Sequence, residues 1–248
     1  MEAAAAKTDV GGRWECAEGY SGNVRVLALS HGPLVRSELF GDVVREQGHE
    51  LVEGELPTQG PPPDGFDAVM VFGGGMNVGE EADNPWLLDE YELLRTWIAE
   101  EKPLLGVCLG GQTLAHATGG TVRRAQQWHA GFYEVALTDE GKADPVLGVL
   151  PERFDAFLAN AFEFDPPAQA ARLAELPGQT QSFRIGTRAW GVQFHPEARK
   201  EQVLAWWSDG RKLPRPIEEL SAEMDAKMPR WHELGRKVCA AFLDAARA

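Results

Sequence analysis

Cysteine is scarce in this chain: Cys16, Cys108 and Cys239 are the only three in 248 residues, with no CxxC pair and no metal-ligand spacing. So sparse and odd a set suits a reducing cytoplasm better than a disulfide framework and leads us to expect no metal centre. The amino terminus lacks a basic segment followed by an apolar core, so no secretory leader is expected. No apolar run approaches the ~20 residues of a membrane-spanning helix. Positive charge is in deficit, with 24 Lys and Arg against 38 Asp and Glu and a formal charge of −14. That field repels phosphate backbones and anionic bilayers, so neither nucleic acid nor a membrane is expected as a partner. Nucleotide loops are missing too. VFGGGMNVG carries Val78 where a G-x-G-x-x-G loop would end, and no G-K-[ST] occurs. No cofactor is therefore expected.

The apolar content of 44% is enough for a sizeable core. Residues 1–22 are Ala- and Gly-rich without sustained periodicity and read as a tail. NVRVLALS (23–30) reads as a buried strand, HELVEGEL and FDAVMVF (66–72) as a second and third, and PLLGVC starts a fourth. A helical pattern begins at Pro33 and ends near Gly48. A second opens at Asn84-Pro85, with Asn84 as the candidate cap and an apolar stripe through Leu87, Tyr91, Leu94 and Ile98. TQGPPPDG (58–65) reads as a loop. Strands alternating with helices predict an α/β fold with a mostly parallel sheet and helices on both faces.

The pattern changes after Gly120. TVRRA, GFYEVALT, ERFDAFLA and ARLAEL read as short strands of a smaller antiparallel segment. Gly186-Thr187, between SFRI and RAWGVQF, suits a two-residue hairpin. From Ala198 the chain is helical in composition, interrupted by Pro214, Pro216 and Pro229. The predicted organisation is a tail (1–22), one α/β domain (23–197) and a helical extension packed on it (198–248).

Cys108 sits where the fourth strand turns into a helix over 109–118, framed as Gly106-Val107-Cys108-Leu109-Gly110. Ligands gather at the carboxyl ends of parallel strands, and a sharp strand-to-helix turn needs small neighbours. The helix amino terminus favours a thiolate, and its N–H groups can hold an oxyanion. A buried structural thiol would give the same local pattern. The second piece is GVQFHPEA, in which His195 follows a strand and Glu197 lies two residues on. There the imidazole can take a thiol proton while the carboxylate fixes its tautomer. The third piece is Gly73-Gly74-Gly75, which suits either close approach of the backbone to a ligand or a simple turn.

These segments, FGGGMNVG, PLLGVCLGGQTLAHATGG and RAWGVQFHPEA, resemble class I (triad-type) glutamine amidotransferase domains in order and spacing. The helical tail is similar to stand-alone members related to the glutaminase part of GMP synthase. The resemblance implies a flavodoxin-like sheet, Cys108 as nucleophile, His195 as base and then acid, and Glu197 as the orienting carboxylate. It further implies an oxyanion hole from Gly74 or Gly75 and the backbone of Leu109, with Gln112 helping to hold the glutamine. Glutamine or a γ-glutamyl amide is the implied substrate, and a separate ATP-dependent synthetase the implied partner. Two departures bear on substrate and partner. Relatives often have Glu-x-Gly where this chain has His129-Ala130-Gly131, and a histidine where it has Asn160 in FLANAFEF. A γ-glutamyl peptidase or hydrolase with the same triad, and a non-catalytic regulatory protein on this scaffold, are the competing readings.

Overall fold

The computed structural model describes residues 23–208 and 213–247. The tail expected over 1–22, with Cys16, lies outside the described residues. Nine strands form one sheet in the order β2-β1-β3-β4-β9-β8-β7-β5-β6. They are β1 (Arg25–Ser30), β2 (Glu50–Glu55), β3 (Ala68–Val71), β4 (Leu104–Val107), β5 (Thr121–Leu137), β6 (Arg153–Asp165), β7 (Ala171–Leu176), β8 (Gln179–Ile185) and β9 (Ala189–Val192). The pairs from β2 across to β9 are parallel, and those from β9 through to β6 antiparallel. The antiparallel segment is thus continuous with the parallel one through the β8–β9 pair, not a separate sheet.

The helices are α1 (Glu38–Glu46), α2 (Leu56–Gln59), α3 (Trp86–Ala99), α4 (Leu109–Ala117), α5 (Asp139–Lys142), α6 (Lys200–Trp206) and α7 (Ile217–Arg247). Alternate residues of a strand face opposite sides, and both sides here are apolar because both are covered. Val26, Ala28, Met70, Phe72, Leu105 and Val107 join one core with Phe40 and Val44 of α1 and Leu234, Val238 and Phe242 of α7. Leu27, Leu29, Val69, Val71 and Leu104 join the other, with Leu87, Tyr91 and Leu94 of α3 and Leu114 of α4. Among the described residues no helix is long and apolar enough to cross a membrane.

Several local expectations are corrected. The first helix begins at Glu38, not Pro33, leaving Leu34 half exposed in the preceding bend. The expected loop at residue 58 starts inside α2. Asn84 does not cap α3 with its side chain, whose Nδ2 donates to the Glu80 carbonyl instead. Three residues, not two, separate the paired Ile185 and Ala189 in the β8–β9 hairpin. The short strands TVRRA and GFYEVALT are parts of one 17-residue β5, bent by a register shift between Arg124 and His129. Pro229 does not interrupt the tail but lies inside the 31-residue α7. An interior proline costs about 3 kcal/mol. Burial of Met224, Met228, Trp231 and Leu234 on either side offsets that cost and carries the helix through.

Candidate active site

The carboxyl ends of β3, β4 and β9 converge, and each delivers one piece of the site. At the end of β4, Cys108 turns the chain into α4 with φ of 54° and ψ of −107°, a conformation non-glycine residues adopt rarely and at a cost. The strand and helix backbones then nearly touch. A methyl group at Gly106 would lie 2.3 Å from the Gly110 carbonyl oxygen, and one at Gly110 would lie 2.1 Å from that of Val71. This is the physical reason for glycine two residues before and two after the cysteine. Gly110→Ala should therefore cost roughly 2–4 kcal/mol, since only backbone movement relieves the clash. A chemical-denaturation midpoint indistinguishable from wild type would contradict the packing.

The Cys108 N–H donates to the Val192 carbonyl at 2.8 Å, tying the elbow to β9. Beyond β9 comes His195, whose Nδ1 lies 2.9 Å from Glu197 Oε1; both side chains are buried. The loop that carries them is clamped by α7. Trp231 Nε1 donates to the His195 carbonyl at 2.8 Å, and a methyl on Gly235 would lie 2.1 Å from the Pro196 carbonyl oxygen. The tail thus positions this histidine as well as covering the sheet.

Cys108 and His195 meet across the Gly73 backbone. A methyl on Gly73 would be 3.2 Å from His195 Cε1 and 3.6 Å from Cys108 Cβ. Burial by itself would lower the pKa of His195. The Glu197 carboxylate and the Cys108 thiolate more than offset it, raising the pKa to about 10 and favouring an imidazolium. Its Nε2 is buried without a hydrogen-bond partner among the described residues.

Of the other expected residues, Gly74 and Gly75 line the cavity above Cys108, and Leu109 opens α4 beside it. Among the described residues the backbone N–H groups of Gly74 and Leu109 have no acceptor. Gln112 is placed differently from a substrate contact. Its Nε2 donates to the Phe162 carbonyl at 3.1 Å and to Gln193 Oε1 at 3.3 Å. Gln193 in turn points its Nε2 at Cys108 Sγ, 3.6 Å away. The sequence reading missed Gln193, although it lies two residues before His195 at the end of a strand. It also missed the cavity wall. The space over the thiol, about 230 Å³, is lined by Leu34, Val35, Trp128, Ala159, Ala161, Trp206 and Trp207, together with Asn77 and the glycines. His129 and Asn160, the two departures, pair across β5 and β6 immediately beside Trp128 and the two alanines. Cys239 is buried in α7, and the His116 ring packs against that of Tyr91 at a tilt of 55°.

The family model described as glutamine amidotransferase class-I matches residues 45–203. This chain belongs to the class-I glutamine amidotransferase family. One subunit of the glutamine-hydrolyzing GMP synthase of Ignicoccus hospitalis is 32% identical over 181 residues, covering 71% of this chain and 90% of that one. The GMP synthase of Aeropyrum pernix is 38% identical over 123 residues, 46% of this chain, and the match spans only 23% of that longer protein. The fold matches a glutamine amidotransferase of Thermotoga maritima with a TM-score of 0.81 at 24% identity, covering 90% of this chain and all of that one.

Proposed function

We propose that this amidotransferase hydrolyses the side-chain amide of glutamine and supplies the ammonia to a separate ATP-dependent synthetase. The observation that carries the proposal is the elbow thiol facing the buried His195–Glu197 pair across Gly73. The Cys108 thiolate attacks the carboxamide carbon, and the N–H groups of Gly74 or Gly75 and Leu109 receive the oxyanion. His195, held as imidazolium by Glu197, protonates the leaving nitrogen, giving ammonia and a γ-glutamyl thioester. Water, deprotonated by the now neutral His195, then attacks the thioester and frees glutamate. A synthetase partner is supported by the name of the Ignicoccus relative, which is one subunit of a glutamine-hydrolyzing synthase.

One observation favours a second reading within the same chemistry. The rings of Trp128, Trp206 and Trp207 with Leu34 and Val35 form an apolar wall that suits a γ-glutamyl amide of a larger, apolar amine. Glutamate release from glutamine and from γ-glutamyl amides of amino acids and of aniline separates the two. We expect glutamate and ammonia in equal amounts from glutamine. Turnover of the substituted amides with glutamine left intact would establish the second reading in its place. If no amide reacts and a glutamine-mimicking electrophile leaves Cys108 unlabelled, the scaffold is non-catalytic.

A further inference from the structure

Below the glycine run lies a second His–carboxylate pair that the chemistry above does not use. The side chains of His31, in the turn after β1, and Glu90, on α3, have no solvent exposure. His31 Nε2 is 2.5 Å from Glu90 Oε2, and its Nδ1 is 2.9 Å from the Gly73 carbonyl oxygen. Trp86 stacks on the ring at a centroid distance of 5.1 Å. Both ring nitrogens thus face acceptors, which suits a ring carrying a proton on each. Burial opposes that charge, but Glu90 and then the Gly73 and Phe72 carbonyls raise the His31 pKa above its ordinary value.

The Gly73 carbonyl and the Gly74 N–H are two ends of one planar trans peptide. Holding the oxygen toward His31 aims the N–H in the opposite direction. The face of Gly73 abuts Cys108 and His195, and Gly74 lines the cavity over the thiol. A cation at the carbonyl end also polarises the peptide and makes its N–H a stronger donor. We propose that His31, with Glu90 as its buried counter-ion, is a positioning residue that orients and strengthens the Gly74 N–H as an oxyanion donor. The inference rests on the amidase reading for its purpose. The geometry it concerns can be read without any turnover.

Iodoacetamide alkylates a thiolate by displacement and forms no oxyanion. An aliphatic aldehyde such as butyraldehyde adds to the thiol and places an oxygen in the hole. Protection of Cys108 from iodoacetamide by butyraldehyde, in the full chain, therefore isolates the hole from the nucleophile. His31→Asn is expected to weaken that protection roughly tenfold, less than the ~100-fold or more of losing a donor outright. The unprotected alkylation rate should stay within about twofold of wild type. Glu90→Gln, which keeps the shape and removes the charge, should weaken protection in the same direction by a smaller factor. Equal protection in wild type and variants, no protection in wild type, or alkylation falling in parallel with protection each overturns the inference. The wild-type amidase assay decides the function separately.

Discussion

Cys108→Ala should abolish amide turnover, while Cys239→Ala leaves it within a factor of about two of wild type. The first substitution removes the only thiol that faces the cavity among the described residues. If Cys108 is the nucleophile of an interdependent Cys–His–Glu set, as proposed, its loss removes nearly all of the acceleration, by analogy on the order of 10⁴–10⁶-fold. Alanine adds no bulk at the elbow and meets the same backbone penalty at φ of 54°, so the fold should persist. The second substitution touches a thiol buried in α7, whose Sγ lies 3.7 Å from the Phe40 carbonyl and whose pKa burial pushes far up. Such a thiol is a small core residue and not a nucleophile. Glutamate release, with intact-mass detection of a single electrophile adduct, distinguishes the two. Comparable turnover in the Cys108 variant would refute the mechanism, and loss of both adduct and turnover in the Cys239 variant would move the nucleophile elsewhere.

What the sequence revealed of this site was whatever chemistry had written at short range. The elbow could be read because the approach of β4 to α4 demands glycines at fixed offsets from the cysteine. His195 and Glu197 could be read because a strand ends beside a proline and a carboxylate. Gln193 could not, since a buried amide that bridges Gln112 and the thiol looks in sequence like any polar interruption of a strand. Nothing in the sequence sets Trp128, Trp206 and Trp207 apart from tryptophans that pack a core. Only the meeting of β5 with α6 over the thiol gives them a cavity to line. The His31–Glu90 pair spans 59 residues and belongs to no motif, so only the fold brings it under Gly73. The same holds for errors of structure. TVRRA and GFYEVALT read as two strands, yet pairing with β6 on both sides of the register shift carries one strand through the residues between them. Pro229 read as a stop because propensity is local, whereas the packing of α7 is not.

Glu197→Gln is expected to lower turnover on the order of 10²–10⁴-fold and to move the alkaline limb of its pH profile to lower pH. The sign follows from the forces on His195. Desolvation lowers its pKa, and the Glu197 carboxylate is the first of the charges that raise it to about 10. With a neutral amide in place of the carboxylate, desolvation is opposed only by the thiolate. The imidazolium, to which the proposed mechanism assigns protonation of the leaving nitrogen, is then lost nearer to, or below, its ordinary value of 6.5. The amide also permits the wrong tautomer, because its NH₂ can donate to Nδ1 and force the proton onto Nε2. Fold stability should follow the same shift. A group raised on folding stabilises fully below its unfolded value of 6.5 and ceases to do so as the pH rises through about 10. The stability difference between wild type and variant should therefore be largest at and below neutral pH and shrink toward pH 10. Profiles of kcat/KM and of Cys108 alkylation, with thermal denaturation across the same range, test both parts. An unmoved alkaline limb would mean that Glu197 orients the ring without holding its proton. A thermal difference that grows with pH would mean that His195 is neutral in the folded protein.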